Sequence, residues 1–191
     1  MKPLERWEAL WAPYDEPTYQ LVLDYVRPDD VVLDIGAGDL RLTRRVAAVA
    51  RRVYAIERDP AVLARSDRRQ ADWPAHLIVI CADALTAAFP SDVTTAILLM
   101  RHCTREHFAA YRQRLGALPR CRRLITNARW KMGVEVIDLR AGQAYDSERV
   151  GWYACRCGSI GFTPGEASAI TPQVLAEVVD VVSCPQCGTQ N

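Results

Sequence analysis

No stretch of the 191-residue sequence strings together the roughly 20 apolar residues that a membrane-spanning helix needs. Its opening, MKPLERWEALWAPYDEP, is too charged and too interrupted by proline to read as a secretory signal. Without an export signal, the seven cysteines lose most of their force as a disulfide framework. The expectation is a soluble, cytoplasmic protein with no membrane partner. Lysine is nearly missing too: Lys2 and Lys131 are the exceptions among 24 basic residues. Arginine supplies the rest, which suits phosphate contacts, although a codon bias would leave the same trace. One glycine-rich turn stands early in the chain, but no Gly-Lys-Ser/Thr follows it, which excludes a P-loop.

What is present is enough apolar material for a real core, since half of the residues are hydrophobic. Runs of strand length alternate with stretches of helical period. VVLDIG (31–36), RVYAIE (52–57), HLIVICAD (76–83), TTAILLM (94–100) and CRRLITNA (121–128) read as strands. Helices are expected across Leu40–Ala50, across Pro60–Arg69 with Asp59 as N-cap, and across Arg105–Leu118 with Thr104 as cap. A lead-in helix at Tyr14–Val26 precedes them, and GVEVIDL (133–139) is a further strand. Continuous Val/Ile/Leu strands separated by helices imply an α/β fold, a mostly parallel sheet covered on both faces. After Trp130 the pattern gives way to glycines, cysteines and one short helical candidate at Thr171–Val178, so a boundary is expected near 140–150.

The glycine-rich turn, Asp34-Ile35-Gly36-Ala37-Gly38-Asp39, follows the first strand and opens a helix. Its glycines permit close ligand approach, and a helix start offers amide donors to an anionic group. The pair lacks the third glycine of a dinucleotide fingerprint. Taken alone, the pair is equally a tight strand-to-helix turn with no ligand. Two further acids change that balance. Glu57 ends the second strand, where a carboxylate can accept from both hydroxyls of a ribose. Asp83 ends the third, in CADAL, where it can hold the exocyclic amine of an adenine. Three acids at three consecutive strand ends line one edge of an open parallel sheet, the edge at which such sheets bind ligands.

VLDIGAGDLRLTRRVA, RVYAIERDP and CADAL together resemble the cofactor motifs of class I S-adenosylmethionine-dependent methyltransferases. The likeness is closest to the rRNA adenine dimethyltransferase branch and covers roughly residues 20–130. It implies a Rossmann-like domain over residues 1–140 in which Gly36–Gly38 flank the methionine part, Glu57 binds the ribose, and Asp83 with Ala84 borders the adenine. The implied cofactor set is Asp34, Gly36, Ala37, Gly38, Asp39, Glu57, Arg58, Asp83, Ala84 and Met100. After the fourth strand the branch carries an Asn-Pro-Pro-Tyr-like motif that holds and stacks a flipped base. Here Leu99-Met100-Arg101-His102-Cys103-Thr104 stands instead, which counts against adenine N6 as the acceptor. His102 is then the candidate base, with a cap or packing role as its alternative. Cys103 lacks the Pro-Cys context of a covalent nucleophile.

CRCG (Cys155, Cys157) and CPQCG (Cys184, Cys187) are two knuckle-like pairs with 26 residues between Cys157 and Cys184. Four thiolates make a closed tetrahedral zinc site, and the flanking apolar runs read as the strands of a zinc-ribbon-like element over residues 141–191. An iron–sulfur cluster or a redox pair are the alternatives, and the element acts either as a staple or as a recognition module. Late in the first part, residues 101–131 carry 9 basic side chains against 1 acidic, whereas residues 132–191 carry 3 against 7. Arg101, Arg105, Arg129, Trp130 and Lys131 are the candidate nucleic-acid contacts, an aromatic among cations. An ordinary solvated face is the other reading of the same residues. The leading expectation is a methyltransferase acting on RNA. Transfer to a protein or small molecule, and a non-catalytic adapter that meets a protein partner through the ribbon-like element, are the competing ones.

Overall fold

The computed structural model describes residues 14–66, 73–100, 103–129 and 133–188. The first helix, α1 (Glu16–Tyr25), starts where the Asp15 carboxylate accepts the Thr18 amide at 3.0 Å. Strand β1 (Val31–Ile35) is buried along its whole length, as a parallel strand covered on both faces must be. Helix α2 (Arg41–Ala47) follows, then β2 (Arg52–Glu57) and the single turn α3 (Pro60–Leu63). Strands β3 (Leu77–Cys81) and β4 (Thr95–Leu98) come next. Helix α4 (Arg105–Ala117), β5 (Arg123–Thr126) and β6 (Glu135–Asp138) complete the alternating part. The sheet runs in the order β3-β2-β1-β4-β5-β6, with β1 parallel to both β2 and β4, β2 parallel to β3, and β4 parallel to β5. The order reverses between β1 and β4, and a ligand crevice opens at such a switch point, outside the carboxyl ends of the strands.

The chain divides into two compact units, and α4 falls in the second of them. The first takes in residues up to 102 and from 118 to 137, the second residues 103–117 and 138–191. In the first, Val22, Val32, Leu40, Val46, Val53, Ile97 and Ile125 pack into one buried cluster. Each such side chain contributes about 1.5–3 kcal/mol on leaving water. Asp30, also buried, ties the lower end of the sheet: it accepts from Arg123 Nη2 at 2.6 Å, Thr95 Oγ1 at 2.8 Å and the Arg27 amide at 2.7 Å. Burial opposes its charge, but Arg123 and these donors outweigh that and hold its carboxyl below the ordinary range.

In the second unit β7 (Gly151–Cys155) and β8 (Ile160–Thr163) form an antiparallel hairpin. The short helix α5 (Pro172–Ala176), capped by the Thr171 hydroxyl, leads to β9 (Val178–Val181), which pairs parallel to β7. The final turn is α6 (Pro185–Gly188). The Arg112 guanidinium of α4 is buried and lies 3.4 Å from Asp180 of β9.

The helices are shorter than their periodicity suggests. The helix expected over Pro60–Arg69 ends at Leu63, whose carbonyl is taken by both the amide and the hydroxyl of Ser66, and residues 67–69 lie outside the described ones. The helix expected from Leu40 begins at Arg41, because Leu40 holds a left-handed φ of 64°. At Thr171–Val178 the pattern splits: the helix stops at Ala176 and Val178 opens a strand.

Candidate functional site

The turn after β1 is pulled across β2 by two amides, Gly36 N and Ala37 N, which both donate to the Ile56 carbonyl at 2.9 and 3.0 Å. Gly36 and Gly38 hold φ values of 71° and 60°, which a side chain at either position would strain. A Cβ built at Gly36 would lie 2.6 Å from the Cε of Met100, so the glycine lets the segment after β4 come down onto the turn. Glu57 is buried at the end of β2, where its Oε2 accepts from Gly38 N at 3.0 Å and its Oε1 from Asp59 N at 2.9 Å. A carboxylate has about four lone-pair sites. Two are filled by backbone, which leaves two.

Asp34 sits beneath the turn, where the Thr43 hydroxyl donates to its Oδ2 at 2.5 Å. Burial pushes its carboxyl up to about 6; the Thr43 hydrogen bond works against the shift and the nearby Glu57 charge adds to it. Thr43 was not foreseen from the sequence, although it lies on the first turns of the helix that the glycines open. Asp39, nearly buried, is paired with Arg41. On the third strand's end Asp83 is exposed; its Oδ1 accepts from Leu85 N at 2.8 Å, and Ala84 beside it is buried. Arg58 is exposed just beyond Glu57, and Met100 is half-buried. The residues expected at three strand ends therefore lie on one edge of one sheet, with β1 between its two parallel neighbours.

Of the expected acceptor-side residues, Arg101, His102, Trp130 and Lys131 lie outside the described residues. Cys103 carries a thiol that burial pushes up to about 11, which suppresses the thiolate needed for attack at neutral pH. Arg105 is exposed and reaches Gln186 Oε1 at 3.2 Å. Arg129 is buried, with its guanidinium forked onto Glu135 through two contacts of 2.6 Å. With Arg112 on Asp180 and Arg123 on Asp30, three arginines of the basic stretch make internal ion pairs. The sequence gives their charge, but only the fold supplies the carboxylates that meet them.

In the second unit the sulfurs of Cys155, Cys157, Cys184 and Cys187 all lie within 4.8 Å of one another. Three of the separations are 3.8 Å (155–187), 3.7 Å (157–184) and 3.8 Å (184–187). A tetrahedron with metal–sulfur bonds of about 2.3 Å has edges of about 3.8 Å, so this spacing fits a tetrahedral four-thiolate metal site. Each pair sits on a tight turn, closed by Gly158 N on the Cys155 carbonyl at 3.0 Å and by Cys187 N on the Cys184 carbonyl at 3.1 Å. Gly158 holds φ at 85°, the backbone reason for a glycine after the first pair. Burial raises the Cys155 and Cys184 thiols. It also works against a Cys157 thiolate, but the hydroxyl and amide of Ser159 prevail and bring that thiol to about 7. Among the described residues, no helix is long and apolar enough to cross a membrane.

Known proteins fit this arrangement. A probable ribosomal RNA small subunit methyltransferase A of Methanosarcina barkeri is 46% identical over 63 residues, which make up 33% of this chain and 22% of that protein. The chain thus spans less than a quarter of that relative's length. The crystal structure of the 23S rRNA methyltransferase ErmE superposes with a TM-score of 0.51 at 25% identity, over 59% of this chain and 46% of that one. An RNA methyltransferase from Salinibacter ruber, in complex with S-adenosyl-L-homocysteine, shares the fold at a TM-score of 0.51 and 20% identity, over 63% and 82% of the two chains. The profile of the family described as "Ribosomal RNA adenine dimethylase" matches residues 16–121. With more than half of its residues inside that match, the chain belongs to the ribosomal RNA adenine dimethylase family.

Proposed function

We propose that the protein binds S-adenosylmethionine at the carboxyl edge of the six-stranded sheet and transfers its methyl group to RNA. The observation that carries this reading is the turn itself: two left-handed glycines, one of them bonded to a buried Glu57 that keeps half of its acceptor capacity. S-adenosylmethionine supplies a methyl group already activated on a sulfonium, so most of the work left to the protein is positioning. Gly36, Ala37 and Gly38 bring backbone close to the methionine part. Asp34, through Thr43, and Asp39, through Arg41, hold the turn in shape. Glu57 accepts from the ribose hydroxyls with Arg58 beside it, Asp83 and Ala84 border the adenine, and Met100 covers the turn. In this reading residues 1–140 carry the methyl transfer and residues 141–191 hold one zinc ion on Cys155, Cys157, Cys184 and Cys187.

The acceptor lies beyond β4, with His102 as its base and Arg101, Arg105, Trp130 and Lys131 as its RNA contacts. Arg129 leaves that set, because its charge is already matched by Glu135. Leu99–Thr104 offers neither the amide nor the aromatic that adenine-N6 enzymes place there, which favours a different acceptor atom within the same RNA class. The protein would work where ribosomal RNA is, in the cytoplasm.

Calorimetric titration with S-adenosylhomocysteine tests the cofactor half. Micromolar binding by the parent protein, lost in a folded Glu57→Ala variant, is expected. A folded parent protein with no affinity would overturn the reading. Radiolabelled methyl transfer to small-subunit ribosomal RNA tests the acceptor. Label found in protein rather than RNA would redirect it.

A further inference from the structure

The second unit contains a cavity of about 70 Å³ that the methyl-transfer reading does not use. Tyr145, Asp146, Arg149, Tyr153 and Glu177 are among the residues that wall it. The rings of Tyr145 and Tyr153 meet edge to face, with centroids 4.9 Å apart at 71°. Tyr145 is fixed further by the Thr163 hydroxyl, which donates to its Oη at 3.2 Å, and Tyr153 lies across Gly161, where any Cβ would strike its hydroxyl. The aromatic part of the wall is therefore rigid. The wall's charged residues are two acids, Asp146 and Glu177, and one base, Arg149.

We propose that this cavity receives an arginine side chain from a basic segment of a protein partner. Size is the first argument. The space holds several water-sized groups and so the end of one long side chain, but it falls far below the roughly 300–1,000 Å³ of cofactor-sized pockets. Chemistry is the second. A guanidinium is planar, stacks on aromatic faces and forks onto carboxylates, and Tyr145, Tyr153, Asp146 and Glu177 supply both kinds of surface. The charge of the wall itself is the third. Asp146 and Glu177 stand among its residues against Arg149 alone. That local excess favours a cationic side chain over a phosphate.

Fluorescence anisotropy of a labelled alternating glycine–arginine peptide, titrated with the metal-loaded full chain, tests this. The control is the same peptide with citrulline, which keeps the shape of arginine and loses its charge. The arginine peptide is expected to bind and the citrulline peptide not to. The double variant Asp146→Asn/Glu177→Gln should weaken binding about tenfold, the loss of two part-exposed ion pairs. Arg149→Ala should strengthen it, because a like charge leaves the wall. This second variant keeps the test sound even if the first folds poorly. Equal binding of both peptides, or an unchanged affinity in either variant, would overturn the proposal. So would a short single-stranded RNA that binds in place of the peptide and is weakened by Arg149→Ala, which would mark the cavity as a phosphate site. None of these outcomes depends on methyl transfer.

Discussion

Asp34 places a carboxylate where water cannot reach it, with one hydroxyl for compensation. Its folded pKa, about 6, exceeds its ordinary value of 3.8. The native state therefore holds a proton that the unfolded chain has released, and the contribution of this group to stability falls as pH climbs from about 4 to about 6. Asp34→Asn keeps an acceptor for Thr43 and removes the charge. It should raise stability by up to about 3 kcal/mol at pH 7.5 and by little at pH 4, read as the difference between urea midpoints of variant and parent at each pH. An equal gain at both values would mean that desolvation is not the cause. Gly36→Ala tests the turn. With φ at 71° and Met100 Cε in the way of a Cβ, it should cost about 1–2 kcal/mol and lower affinity for S-adenosylhomocysteine. A variant with parent stability and parent affinity would show that the turn tolerates a side chain. The glycines and acids were legible because strand-end chemistry repeats at a fixed spacing. Thr43 was not, since nothing in a single sequence says which side chain of a helix meets a buried acid.

At the scale of the elements, strands were the easier reading. VVLDIG, RVYAIE and TTAILLM are continuous apolar runs, and a parallel strand buried on both faces needs no alternation to be seen. The helices were read too long, because their limits are set by local events such as the left-handed Leu40 and the hydroxyl of Ser66 on the Leu63 carbonyl. Arg129 and Glu135 show the same limit from the side of charge. Read as sequence, ARWK is a cationic aromatic tip; in the fold Arg129 turns inward and clamps the exit of β5 to the start of β6. Arg129→Ala should cost about 2–4 kcal/mol, mostly by leaving Glu135 without its partner. Arg129→Met with Glu135→Leu should recover most of that loss, and denaturation of the two singles and the double measures the coupling. A single variant as stable as the parent would reduce the clamp to an incidental contact.

Across the whole molecule, two units answer to different stabilising agents: apolar burial in the six-stranded sheet, and a four-sulfur cluster in a small three-stranded one. Stripping metal with a strong chelator should therefore abolish amide-exchange protection in β7 and β9 and leave β1, β2 and β4 protected. Elemental analysis should find one zinc per chain. Simultaneous loss of protection in both sheets would mean that the units unfold together. The clustering of α4 with the cysteine element was hidden in the sequence, where that helix sits in the middle of the alternating pattern. The internal ion pairs of Arg112, Arg123 and Arg129 have one more consequence. Of the 9 basic residues in 101–131, these three have their counter-charges already in the fold. At most six of the nine can then displace counterions from a polyanion. If RNA is gripped through this stretch alone, the slope of log affinity against log salt should be no steeper than about −4, the value for six contacts on a single strand.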